Sequence, residues 1–167
     1  MPLVPFETLP DSSRIWVFGS DRPLEAGESS RLLAETDLFL EGWAAHGSPL
    51  RASREWTDSR FLTIAVDQST AGASGCSIDG LFRTLSAFGS GIGANLVGSG
   101  RVFYRDAGGV VQSVSRDRFT ELASSGVITT ATRVFDTTVQ TLGDWRNQFE
   151  RIASESWHAQ LLREPAR

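Results

Sequence analysis

The stretch Phe61-Leu62-Thr63-Ile64-Ala65-Val66 constrains this chain more than any other. Nearly continuous apolar character over so short a run reads as a central strand rather than an edge. The residues just beyond it are as informative. Ala71-Gly72-Ala73-Ser74-Gly75-Cys76-Ser77-Ile78-Asp79 is a run of small and polar residues. Ile78, Leu81, Phe82, Leu85 and Phe88 then recur at three- and four-residue spacing, the clearest helical stripe in the chain. A small-residue loop running from a strand into a helix start presents bare backbone N–H groups to whatever sits above it. It suits an anion, a polar ligand or an activated thiol.

The remaining elements can be placed around this pair. Ile15-Trp16-Val17-Phe18 reads as a short strand closed by a turn at residues 19–23. Residues 28–45 read as a helix carrying Leu32, Thr36, Phe39, Leu40 and Trp43, ended by His46-Gly47. Residues 51–56 alternate as a half-exposed strand, and Thr57-Asp58-Ser59-Arg60 supplies a hairpin turn into the apolar run. After a glycine-rich connection at 89–100, residues 101–105 read as a fourth strand. Strand, helix, strand, strand, helix, strand is the order of a ferredoxin-like split β-α-β sheet with two helices on one face, an α+β fold. The expected core covers residues 1–106. Residues 107–167 form an appendage packed on it within one compact domain: a strand at 110–114, a Ser115-capped helix stopping at Gly126, and a strand at Val134-Phe135. Thr141 and Asp144 look like a capping box for a last helix carrying Trp145, Phe149 and Ile152. His158 beside Trp157 reads as a surface residue.

Composition removes several chemistries. All 16 basic residues are arginine, so neither a lysine Schiff base nor the lysine of a P-loop ATPase is possible. A net charge of −4 without a basic block argues against nucleic-acid binding. The single cysteine excludes an internal disulfide and suits a reducing compartment. No secretory signal or run of transmembrane length is apparent, so a cytoplasmic protein without membrane association is expected. No cluster with metal-ligand spacing stands out and no cofactor is expected.

Three stretches resemble, together, a family of small bacterial proteins with no established activity. They are Trp43-Ala44-Ala45-His46-Gly47-Ser48-Pro49-Leu50-Arg51-Ala52-Ser53, Arg60-Phe61-Leu62-Thr63-Ile64-Ala65-Val66-Asp67, and the run 71–79. Some members of that family are labelled "ABC transporter ATPase". The absent phosphate-cradling lysine and the short chain contradict that label here. Residues 102–135 are similar, more faintly, to bacterial relatives of GYF-type peptide-binding domains, although the Gly-Tyr-Phe and Gly-Pro signatures of that class are missing.

The residues themselves leave two chemistries open. Cys76 near a helix N-terminus has the setting that lowers a thiol pKa, and the amides of 75–78 could form an oxyanion hole. Asp79, one turn on, opposes a thiolate, and a lone cysteine among small residues also serves as packing. His46 is the candidate base or a helix C-terminal cap. Asp67 is either an orienting carboxylate or the cap of its own loop through an Asx turn. Arg51, Arg54 and Arg60 flank the hairpin, either as anion holders or as a solvated face. Trp16, Trp56 and Tyr104 are candidates for an open sheet face suited to a ligand or to homodimerisation. The expected function is binding of a small anionic ligand or protein partner at Gly72, Ser74, Gly75, Ser77 and Asp79. The alternative is a thiol transferase or hydrolase with Cys76 as nucleophile, His46 as base and Asp67 as orienter. A structural or assembly role is the third reading.

Overall fold

The computed structural model describes residues 3–45, 48–69 and 75–163. Seven consecutive buried residues make up the strand Phe61–Asp67. It is the fifth of nine strands in the described chain: β1 (Arg14–Gly19), β2 (Ala44–Ala45), β3 (Ser48–Pro49), β4 (Arg51–Thr57), β5 (Phe61–Asp67), β6 (Arg101–Arg105), β7 (Val111–Ser115), β8 (Arg133–Phe135) and β9 (Glu150–Ile152). The helices are α1 (Ala26–Glu41), α2 (Gly75–Ile92), α3 (Arg116–Ser124), α4 (Leu142–Gln148) and α5 (Ala159–Arg163). Two compact units result, one of residues 1–97 with 138–146 and one of residues 98–137 with 147–167.

In the first unit β5 is the middle strand of an antiparallel sheet ordered β1-β5-β4. Its alternation explains why it is apolar on both sides. Leu62, Ile64 and Val66 meet Leu32 and Leu40 of α1 and Leu81, Leu85 and Phe88 of α2. Ala65, on the opposite side, meets Phe6, Leu9, Ile15 and Leu142. A strand covered on both faces gains burial energy from every residue, roughly 25 cal/mol per Å² of apolar surface. Both sheet edges are also occupied. Val4 N–H donates to the Ala52 carbonyl of β4 (3.0 Å), and Ile15 N–H of β1 donates to the Gln140 carbonyl (3.0 Å). Short bridges of this kind blunt an edge against further strand pairing.

Local signals end the helices. Glu28 in the first turn of α1 accepts from Glu25 N–H (3.0 Å) and from both terminal nitrogens of Arg22 (2.9 and 2.8 Å). Arg22 also donates to the Ile92 carbonyl at the end of α2 (2.7 Å), so one ion pair ties the β1–α1 connection to the last turn of α2. Gly93, at φ +71°, then takes the left-handed position that closes α2.

The second unit is a four-stranded antiparallel sheet ordered β7-β6-β8-β9. Val102, Tyr104 and Val134 of its strands pack with Phe119 and Leu122 of α3 and Leu161 of α5. Ser115 caps α3 by accepting from Arg118 N–H (3.1 Å), and Gly126 lies just past that helix at φ +82°.

The mixed α+β character expected from the sequence is present. The ferredoxin-like arrangement is not confirmed. Its two central strands run parallel, whereas β1 pairs antiparallel with β5, Arg14 facing Val66 and Gly19 facing Phe61. The fourth strand expected at 101–105 pairs with β7 and β8 in the other unit, and 138–146 return to the first unit. The expected boundary at 106 differs accordingly. Three local readings change too. α1 stops at Glu41, because 44–45 pair with 48–49 as β2 and β3, and the reading of His46 as its cap lies outside the described residues. α2 runs to Ile92, into the expected glycine-rich connection. α4 stops at Gln148, because Glu150, Arg151 and Ile152 pair with Phe135, Val134 and Arg133 of β8. Among the described residues, no helix is long and apolar enough to cross a membrane.

Candidate binding site at the end of the central strand

β4 and β5 are joined by a tight turn in which Asp58 (φ 54°) and Ser59 (φ 55°) are both left-handed and Arg60 N–H donates to the Thr57 carbonyl (3.0 Å). The resulting register sets Thr57 against Phe61 and, at the far end of the hairpin, Arg51 against Asp67. The beginning of β4 and the end of β5 therefore lie at one edge of the sheet. From that edge the chain proceeds to α2.

Asp67 is nearly inaccessible, with a side chain 4% exposed. Its Oδ1 accepts from Ser69 N–H (2.9 Å) and its Oδ2 from Arg51 Nη1 (2.8 Å). Ser69, through its backbone N–H and then its hydroxyl, holds the carboxyl below the usual carboxylate range, with Arg51 adding to the effect. This is the loop-capping role weighed for Asp67. Its acceptor sites are turned to its own loop and to Arg51.

Gly75, Cys76 and Ser77 form the first residues of α2 as backbone, and their side chains lie outside the described residues. His46, Gly72 and Ser74 also lie outside them. Asp79 is exposed on α2, while Ile78 packs against the core of the first unit. Of the expected site residues, the described structure thus brings only Asp67 to the sheet edge and leaves Asp79 on the helix surface. Among the described residues, no group of three or more His, Cys, Asp or Glu is placed to hold a metal ion.

The other candidates are mostly spent on structure. Arg54 grips Asp37 of α1 through two nitrogens (2.8 and 2.9 Å). Arg60 is buried and donates to the Ser20 carbonyl (3.1 Å). The hairpin arginines are therefore not a bare solvated face. Trp16 and Trp56 pack on the helix-facing core, with Trp16 beside Trp43 (6.1 Å between centroids). Tyr104 lies in the core of the second unit. They do not form one open sheet face, because helices cover the side that carries Trp16 and Trp56. His158 is fully buried rather than superficial. It stacks on Trp157 at 4.0 Å, Nδ1 2.8 Å from the Ser156 hydroxyl, and burial lowers its pKa from 6.5 to about 4.

Sequence reasoning named Arg51 and Asp67 separately and missed that they pair. Opposite charges at the two far ends of a hairpin are the signal that could have linked them. Compared with known proteins, the chain matches no family model, no curated protein and no solved structure.

Proposed function

We propose that this chain is a cytoplasmic, non-catalytic binding protein that recognises a small anionic ligand through the backbone amides of residues 71–79, at the start of α2. Gly75 and Ser77 stand in the first turn of an 18-residue helix, whose unpaired N–H groups and dipole favour negative charge there. The observation that carries the choice against a thiol enzyme is the commitment of Asp67. A carboxylate held by Arg51 and Ser69 fits the loop-capping role weighed for Asp67, which favours the binding reading over a catalytic set of Cys76, His46 and Asp67.

Thermal unfolding with inorganic phosphate, and separately with acetate, tests this reading. Stabilisation that rises with anion concentration, survives Cys76→Ser and disappears in Gly75→Val supports it. Alkylation of Cys76 that is fast at pH 6 and slowed by His46→Ala would establish an activated thiol and overturn it in favour of the enzyme. The absence of any anion effect overturns it in favour of a protein partner.

A further inference from the structure

A hollow lies wholly within the second unit. β6 and β8 pair at two positions, Phe103 with Phe135 and Tyr104 with Val134. The β6–β8 ladder ends there: one residue further along, Arg105 pairs with Val111 of β7 and Arg133 with Ile152 of β9, and not with each other. Between them opens a hollow of about 380 Å³, within the range that holds small molecules.

Its chemistry is asymmetric. Arg105 and Arg133 line it, and both bind the carboxylate of Glu150, Arg105 at 3.0 and 3.0 Å and Arg133 at 2.9 Å. Glu150 and Asp106 balance the two guanidiniums, so what distinguishes the lining is the hydrogen-bond donors it leaves unspent. Arg133 spends Nε on that carboxylate and Nη2 on the Glu150 carbonyl (3.4 Å), which leaves the N–H groups of Nη1 on a half-exposed side chain. Thr129 and Thr132 also line the hollow. Their hydroxyl oxygens accept from Ala131 N–H (3.2 Å) and Thr129 N–H (2.9 Å), so each retains its own proton to donate. Asp106, the lining residue of opposite sign, is occupied by the N–H groups of Gly108 and Val110 and by the Gln112 amide, all at 2.9 Å. Val127, 62% exposed, adds an apolar wall.

We propose that this hollow is a carboxylate site: Arg133 and the hydroxyls of Thr129 and Thr132 take the anionic oxygens, and Val127 takes a short aliphatic tail. The ligand is a small branched-chain acid, either free or as the C-terminal residue of a peptide. The site is independent of the loop at 71–79.

Titration of the ¹⁵N-labelled full chain with isobutyrate, followed by amide chemical shifts, tests it. Saturable shifts are expected at 105–107 and 127–133, with a Kd on the order of 1 mM. Isobutyramide, the neutral isostere, is expected to bind at least about ten-fold more weakly, as is isobutyrate to Arg133→Gln. A short peptide ending in valine separates the two sources: it binds more tightly than isobutyrate if chain termini are the ligand, and no more tightly if free acids are. Val127→Asp, an exposed position that leaves the core untouched, is expected to abolish binding and covers the case in which Arg133→Gln misfolds. Shifts that fail to saturate, that are equal for acid and amide, or that survive both variants overturn the proposal.

Discussion

Arg51 and Asp67 are cross-strand partners whose ion pair (2.8 Å) joins the first residue of β4 to the last residue of β5. The two halves of the pair are unequal. Asp67 is buried and accepts from Ser69 as well, whereas the Arg51 side chain is 46% exposed and has water as a substitute partner. Asp67→Ala removes both contacts and strands the Ser69 N–H, so it is expected to cost about 1–3 kcal/mol. Arg51→Leu leaves that buried carboxylate with Ser69 alone and is expected to cost about 1–3 kcal/mol as well. Urea unfolding of the two variants checks both losses. An Arg51→Leu variant as stable as the parent would mean that Ser69 and water suffice to hold the carboxylate.

Buried His158 predicts an acid-sensitive second unit. Protonation would put a charge between Trp157 and Phe119, with Nε2 lacking an acceptor. Burial depresses the pKa, and Arg116 adds to that while Asp136 opposes it. The folded chain therefore refuses a proton that the unfolded chain accepts. Stability is full above pH 6.5 and is lost as pH falls from 6.5 through about 4, by about 3 kcal/mol in all. His158→Gln should flatten that part of the stability–pH curve, measured by urea unfolding at pH 7, 6 and 5. A curve unchanged by the substitution would assign the acid sensitivity elsewhere.

Gly89 illustrates a packing demand that composition conceals. A Cβ built on it would lie 2.4 Å from the backbone oxygen of Ala94, whose own N–H donates to the Gly89 carbonyl (3.0 Å). Alanine is normally the better helix former, yet Gly89→Ala should destabilise the chain by about 1–3 kcal/mol. Gly91, with open space around it, is the control: Gly91→Ala should be neutral or stabilising. Thermal unfolding of the pair decides it.

Ser59 bears a conformational cost that glycine would not. At φ 55° its Cβ crowds its own carbonyl, and only glycine adopts this region freely. Ser59→Gly is expected to stabilise the hairpin by about 0.5–1 kcal/mol, read as a raised midpoint in urea. A lowered midpoint would show that the serine side chain contributes more than its backbone costs.

Much of this fold was legible residue by residue. The stripe Ile78, Leu81, Leu85 and Phe88, the Ser115 cap, the Gly126 stop and the Thr57–Arg60 turn all act over a few residues, and sequence carries such signals directly. The candidate site was legible only as a place, the passage from strand to helix. Its electrostatics depended on register. A two-residue turn pairing Thr57 with Arg60 would set Arg51 against Val66, whereas Arg60 stands between turn and ladder and sets it against Asp67. One residue of register separates an ion pair from an unpaired buried carboxylate.

By itself, then, the sequence determined most of the longer elements, the central strand and the absence of lysine chemistry, because periodicity, caps and residue identity are local properties. Tertiary structure alone decided that β1 meets β5 antiparallel, that residues 101–105 join a second sheet, and that 138–146 cover the first. It also buried His158 and gathered Arg105, Arg133 and Glu150 from three strands. Each of these is a choice among partners distant in the chain. That choice is made by which apolar faces must be covered together and which backbone groups must be satisfied, and no short window of residues contains it.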